Sequence, residues 1–563
     1  MRSRPVCVFA RLAPVFASLL ALGAWPSSLP ASVPPDYELR QLTPSGEPTS
    51  RVGSAWEIDP NGDWVAFVGD VEIAGAEAVY ALRRNGAELH RLSAYAPANA
   101  ISSLRFSADG RRVIYRGDLE VDGRNELWSA PPWGSVASAV KLNVPVVGAG
   151  VATFRVSPVG DRIAYVAETA SGLQVWSVPA SGTSGSGVHL DPSLGATETP
   201  QTVVFRPDGA QVVIQVVDQV AATTRLFAVP AAGPASQALL LADTDPGGCP
   251  AAAADYTPDG SRLLFARLCL DGTDYRFNQL WSVPADGPAE AAVSLAGSFA
   301  VGGQIQSLVL SPDGEHVVFV ADKLVDERFE LWSVPVAGPA AALVRLNPTL
   351  VTNGDVKANF AISPDGTRVA YIADQASDER YFPYSVPIDG PSTEAVSLYQ
   401  GVLTVAADAQ EVAFTPDGSR VVFRFDLAVD ERFDLYWAPP DASASQVRIT
   451  NRGVAPARSV APTWRFLPDS ERVVYLFDES TPGDQRGIGE QRIDDPYATD
   501  ARWNGPPVAG GAVTRVDLYP DGYGFLYRAD QALDQKFELF TVDLRLFADG
   551  FESADFGAWS DTP

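Results

Sequence analysis

The chain has 563 residues, 46% of them hydrophobic, with 42 lysines and arginines against 69 aspartates and glutamates. This is ample material for a large core. A net charge of −27 at pH 7 repels nucleic acid and anionic membrane surfaces.

Residues 1–30 read as a secretory signal peptide. Arg2, Arg4 and Arg11 flank an apolar run over 12–24, followed by small residues and prolines, with cleavage expected between Gly23 and Ala31. The run is too short to span a membrane, and no other segment approaches 18 apolar residues. Cys7 precedes the run and so cannot serve as a lipoprotein cysteine. Processing removes three arginines and no acid, leaving 39 basic against 69 acidic residues, a net charge of −30. Export to the periplasm or the extracellular medium is the expectation.

Residues 37–43 (Tyr-Glu-Leu-Arg-Gln-Leu-Thr) look like a β-strand with no hairpin before it. A tenfold repeat then fills the chain. Its turn position is held by Asn61, Asp109, Val159, Asp208, Asp259, Asp313, Asp365, Asp417, Asp469 and Asp521, at intervals of 48 to 54 residues. In the clearest copies Ser-Pro-Asp-Gly (311–314) is the turn. Pro presets φ, Asp bonds the nearby backbone, and Gly accepts positive φ. A β-branched strand follows, as in Arg420-Val421-Val422-Phe423, then Glu-Leu-Trp-Ser-Val-Pro (330–335), a Gly/Pro turn, and a short fourth strand such as 343–346. Four short strands about every 50 residues predict an all-β propeller of about ten blades.

The repeated Ser-Pro-Asp-Gly-x-Arg-Val-Val-Phe with Glu-Leu-Trp-Ser-Val-Pro resembles the TolB-type β-propeller repeat of periplasmic and secreted bacterial proteins. The same style occurs in the propeller domains of prolyl oligopeptidases. The resemblance spans about 40–546, within a propeller domain expected at 36–546, and implies a fold more than a function. Closure by the N-terminal strand would give one ring; the alternative is two smaller propellers in tandem, split in the longest interval, between Asp259 and Asp313. Residues 547–563, with Gly550-Phe551-Glu552-Ser553 and Trp559, resemble a short tail found at the ends of many secreted bacterial proteins.

Two cysteines remain after processing. Cys249 and Cys269 lie ten residues either side of Asp259, opposite each other on a hairpin, and predict a cross-strand disulfide. Catalytic signals are sparse. There is no Gly-x-Ser-x-Gly elbow, and the nearest stretch, 182–187, reads as a turn. His90, His189 and His316 do not cluster in sequence. Trp128, Trp176, Trp281 and Trp332 recur at one phase of the third strand and read as core between blades.

The acidic turns between second and third strands are the candidate site. Asp118, Glu120 and Asp122, with Gly123 and Glu126, loosely resemble a Ca²⁺ loop, the one cofactor the sequence leaves open. Asp322, Asp374, Asp426 and Asp530 occupy the corresponding turns and predict a carboxylate rim for a partner. The competing account is that these acids hold their own turns and pair with Arg328, Arg380 and Arg432. The sequence thus reads as a monomeric, exported, non-catalytic scaffold for a protein or an envelope or extracellular ligand. Two alternatives stay open: a secreted hydrolase or lyase with carboxylates at the propeller mouth, and a Ca²⁺-dependent carbohydrate or surface-binding protein.

Overall fold

The Ser-Pro-Asp-Gly turn organises each hairpin through one hydroxyl and one carboxylate. In the sixth repeat the Ser311 hydroxyl donates to Asp313 Oδ1 (2.5 Å) and accepts from His316 N–H (2.9 Å), while Asp313 Oδ1 also accepts from Glu315 N–H (2.9 Å). Gly314 sits at φ +75° and donates to Ser311 O, a conformation only glycine adopts without penalty. The same hydroxyl-to-Asp bond recurs at Ser107–Asp109, Thr257–Asp259, Ser363–Asp365 and Thr415–Asp417.

The computed structural model describes residues 38–43, 51–97, 100–243, 248–271, 274–401, 407–450, 458–479, 486–494, 501–503, 511–530 and 536–543. The predicted leader (1–30) and C-terminal tail (547–563) lie outside them. Each repeat is one four-stranded antiparallel sheet, giving ten in all; the first carries an additional short strand, Ala96–Pro97. Blades 1 to 10 begin with Val52–Ile58, Ile101–Phe106, Val151–Val156, Glu198–Phe205, Ala251–Tyr256, Ile305–Leu310, Val356–Ile362, Ala409–Phe414, Arg458–Phe466 and Val513–Leu518. These first strands form the inner edge, where neighbouring blades touch: Ser307 Oγ donates to Ala358 O (2.6 Å) and Lys357 Nζ to Ala409 O (3.0 Å). Among the described residues no helix is long and apolar enough to cross a membrane.

Among the described residues the core is divided into ten apolar clusters, each shared by two consecutive blades. Val318, Val320 and Leu331 of blade 6 pack on Val356, Val369 and Tyr371 of blade 7. Trp332 packs with Leu264 and Leu280 of blade 5, so the recurrent tryptophan is inter-blade core. The tenth cluster joins the ends of the chain: Trp56, Val65 and Phe67 of blade 1 with Tyr519, Leu526 and Leu539 of blade 10. The molecule is therefore one closed ring of ten blades, not two propellers in tandem.

Closure has a specific chemistry. Most blades end their fourth strand in a buried Leu or Ile followed by a small polar residue. The backbone N–H of that apolar residue donates to the third strand, and the polar side chain accepts a third-strand N–H in return. Leu142 with Asn143 does this to Leu127 (2.8 Å both ways), and Leu346 with Asn347 to Leu331 (2.8 and 2.7 Å). Blade 10 draws the same pair from the other end of the sequence. Strand Glu38–Gln41 pairs with Glu538–Asp543; Leu42 N–H donates to Leu539 O (2.9 Å) and Leu539 N–H to Thr43 Oγ1 (3.2 Å). A buried Arg84 of blade 1 adds a clasp, donating to Asp521 (2.7 Å), Asp543 (3.1 Å) and Tyr523 O (2.9 Å) and lying 3.7 Å over the Tyr519 ring.

In blade 5 the strands Ala251–Tyr256 and Arg262–Asp271 pair with Ala251 opposite Arg267. Continuing that register places Cys249 beside Cys269, and the two are disulfide-bonded with Cα atoms 4.4 Å apart, within the range such a bond requires.

Ring closure makes residue 42 a core position despite its place near the start of the chain. Leu42→Ala is expected to cost about 2–4 kcal/mol, a loss comparable with Leu142→Ala, by urea denaturation. A loss below about 0.5 kcal/mol would mean that the strand is not part of the closed ring.

Candidate functional site

Four strands running up and down give the ring two different faces. One, the hairpin face, carries the Ser-Pro-Asp-Gly turns and the turns from third to fourth strand. The other, the link face, carries the turns from second to third strand and the connections between blades. All the predicted acidic turns lie on the link face.

There, Asp322, Asp374, Asp426 and Asp530 are not the open rim the sequence suggests. Each is only 1–2% exposed. One oxygen accepts the N–H of the residue that leads into its own blade: Gln304, Asp355, Asp408 and Ala512 respectively. In three of them the other oxygen holds the turn, Asp322 accepting from Glu327 N–H (3.0 Å), Asp374 from Glu379 (3.1 Å) and Asp426 from Glu431 (3.0 Å). A buried carboxylate needs such donors, because desolvation otherwise drives it to the neutral form. Burial raises the Asp426 pKa even with these bonds.

Two further acids extend this into a relay between blades. Asp355 accepts Phe329 N–H of the preceding blade (2.8 Å), and Asp408 accepts Tyr381 N–H (2.8 Å). The order Asp322, Asp355, Asp374, Asp408, Asp426 thus stitches blades 6, 7 and 8 along the link face. The sequence reading missed Asp355 and Asp408; the available signal was their shared place directly after a small residue, Gly354 or Ala407, and directly before a first strand.

Glu327, Glu379 and Glu431 sit at φ of 59–60°. Gly75 and Gly123 take the same place, with N–H groups bonded to Asp70 and Asp118 at 2.8 Å. Gly123 is therefore the turn's left-handed residue, and its replacement by Glu in later repeats keeps the same backbone. Around it the proposed cation ligands do not converge. Asp118 Oδ2 is taken by Gly123 N–H, Glu120 pairs with Lys141 Nζ (2.7 Å), and Asp122 points into solvent with no described partner. Glu126 accepts Leu119 and Glu120 N–H groups (3.2 and 3.4 Å). Among the described residues no group of three or more His, Cys, Asp or Glu side chains is arranged to hold a metal. The three histidines lie apart, each beside its own acid: His90 with Glu88, His189 with Asp191, His316 with Asp389.

What the link face does expose is a mixture of acids and apolar tips. Asp326, Glu327, Asp378, Glu379, Asp430 and Glu431 are exposed beside the buried aspartates. Ten of the thirteen large apolar side chains exposed among the described residues are on this face: Ile73, Val121, Val147, Val220, Leu270, Tyr275, Val301, Leu324, Val325 and Val429. Val301 is 83% and Val220 81% exposed. Scattered exposed apolar residues are ordinary; their concentration on one face is not.

The inner edge carries a second pattern. At the first-strand position opposite Ala66, Ile114, Ala164, Val474 and Leu526 stand Glu57, Arg105, Arg155, Arg465 and Asp517, from five consecutive blades around the closure; blades 6, 7 and 8 place Val309, Ala361 and Ala413 there. Glu57 accepts Phe106 N–H of blade 2 (2.7 Å). Burial lifts its pKa to about 6 against the pull of Arg105 and Arg515.

Solved structures similar to this chain include one from a study of two prolyl endopeptidases (14% identity, covering 68% of this chain and 54% of that one, TM-score 0.35). Others are a putative TolB from Agrobacterium tumefaciens (15%, 54% and 93%, TM-score 0.27) and an oligogalacturonate lyase in complex with manganese (14%, 89% and 98%, TM-score 0.35). The chain spans about half the length of the prolyl endopeptidase. At these identities the likeness extends to the fold alone. No family model matches the chain, and no curated protein matches it.

Two outcomes follow for stability. Asp374→Ala strands two N–H groups and should cost about 2–3 kcal/mol, whereas Glu379→Gly relieves a left-handed side chain and should gain about 0.5–1 kcal/mol; urea titration of both variants checks the turn's construction. For Glu57 the folded pKa lies above the unfolded value, so the folded state holds a proton that the unfolded chain releases between pH 4.5 and about 6. Stability should fall as pH rises through that window, by about 2 kcal/mol for this group. Glu57→Gln should flatten that part of the profile, and an unchanged slope would count against the assignment.

Proposed function

We propose that the chain is an exported, non-catalytic propeller that binds a protein partner on its link face. The observation that carries this reading is the gathering of exposed apolar side chains on one face, among exposed acids. A partner that covers Leu324, Val325 and Val429 gains by removing apolar surface from water. The acids around them, Asp326, Asp378 and Asp430, select a partner of basic charge and steer its approach. The buried aspartates support the reading in another way. They fix the turn backbones from inside, so the exposed residues are presented on preorganised loops.

Two variants test it. Asp326→Lys, Asp378→Lys and Asp430→Lys together reverse exposed charge, and Leu324→Ser with Val325→Ser removes apolar tips. Both should leave folding stability within about 0.5 kcal/mol per substitution. Cross-linking capture from the envelope fraction of the exporting cell is the readout. A protein held by the wild type should be lost, or weakened by about tenfold, in both variants, and its retention should fall with added salt. Capture that survives both variants unchanged would end the proposal.

A further inference from the structure

On the hairpin face, between blades 2 and 3, lies a cleft of about 410 Å³ whose walls include Trp133, Arg111, Arg112, Asp109, Asp161 and Ser181. Its volume falls in the range of small-molecule sites. Two of its residues break the repeat with no structural need.

Trp133 occupies the turn from third to fourth strand. The same position holds Ser181, Ala232, Asp286, Ala337, Asp389 and Asp441 in blades 3 to 8. The turn hydrogen bond is the same in all of these, the next residue donating to the residue two before: Gly134 to Pro131 O (2.9 Å), Gly182 to Pro179 O (2.9 Å), Gly338 to Pro335 O (2.8 Å). That donating residue takes a positive φ in blades 4 to 8 but not in blades 2 and 3, so blade 3, with Ser181, is the direct counterpart of blade 2. The turn therefore has no use for an indole. Trp133 is 52% exposed.

Arg112 is the second departure. Its counterparts Arg162, Arg262 and Arg368 each donate Nε to a third-strand serine of their own blade: Ser177 (2.9 Å), Ser282 (2.6 Å) and Ser385 (3.0 Å). In blade 2 that serine is Ser129, which donates instead to Ala180 O of blade 3 (2.6 Å). The half-buried Arg112 guanidinium has no partner among the described residues. Across the cleft the exposed Asp161 carboxylate has, among the described residues, only the Ser181 hydroxyl, at 3.5 Å.

We propose that this cleft is a binding site for a neutral saccharide, with Trp133 as the platform for the apolar face of a pyranose ring. The polar groups suit hydroxyls, which both donate and accept: Arg112 donates, Asp161 accepts, and two guanidiniums against two carboxylates leave no net charge to favour an ionic ligand. An exposed indole offers a large flat apolar surface with little conformational entropy to lose. The site lies on the face opposite the one assigned to the protein partner and is independent of it.

The test is isothermal titration of the purified protein with neutral trisaccharides of glucose, of mannose and of N-acetylglucosamine, and with a uronate trisaccharide as the charged control. At least one neutral sugar should bind with Kd on the order of 0.1–1 mM. Trp133→Ser and Arg112→Ala should each weaken it by about tenfold or more. Trp133→Ser should keep the wild-type melting temperature, since Ser181 fills the same turn in blade 3. The Asp326, Asp378 and Asp430 charge reversal should leave sugar binding unchanged. No binding of any neutral sugar up to about 10 mM, binding of the uronate alone, or binding undiminished in Trp133→Ser would each overturn the assignment.

Discussion

Everything else in this molecule depends on one antiparallel strand pair, Glu38–Gln41 with Glu538–Asp543. A blade's outer edge stays short and protected only when its fourth strand is in place, and an unfinished blade 10 would present the third strand's row of unpaired backbone groups. The N-terminal segment supplies what each blade end supplies elsewhere, an apolar side chain pressed into the core and a polar one returned to the third strand. Leu42 is 4% exposed and Thr43 3%. The Arg84 clasp works on the hairpin side of the same seam. Both terminal nitrogens of its guanidinium are engaged, by two carboxylates and a carbonyl, and its plane lies over an aromatic ring, which offsets much of the cost of burying a cation.

With the ring closed, each blade interface is a small apolar core of its own, and polar chemistry is left to the edges. The hairpin face is nearly uniform because its turns satisfy themselves locally through Ser or Thr, Asp and Gly. The link face is different. Its turns are held by aspartates whose second partner is a backbone N–H 18 or 19 residues earlier, at the entrance to the same blade. Those bonds tie the connection between blades to the turn it lies beside. The relay through Asp355 and Asp408 then couples one blade to the next, so residues outside the relay can vary without loosening the loops.

Much of this was legible in the sequence because it is local. Turn chemistry within five residues, the alternation of the second strand, the symmetric cysteines and the orphan strand at 37–43 all repeat or pair at short, regular spacing. The status of Asp322, Asp374, Asp426 and Asp530 was not legible. An Asp in a turn reads the same whether it faces solvent or turns inward, and the group that decides, the N–H at the blade entrance, is fixed only by how the sheet folds back. The exposed apolar tips were hidden for a related reason. Val220, Val301 and Leu324 come from different kinds of segment, and only strand direction places them on one face.

The acidic composition is thus a poorer guide to function than it first appears to a reader of the sequence. A share of the 69 acids is structural: one carboxylate in many hairpin turns, another at the link-face turn, and a third at some blade entrances. Most of these acids are satisfied by backbone N–H and hydroxyl groups, with an arginine partner only at a few turns such as those of Asp469 and Asp521, so they add to the net charge without marking a ligand. A repeat protein offers a sharper instrument, because every column of the repeat shows what the backbone alone demands. Where a column holds small or turn-forming residues in blade after blade, a large aromatic in one copy has no structural cause. Where three arginines bond a serine and a fourth does not, the fourth is left free for something else. Trp133 and Arg112 are both such departures, and they share one cleft.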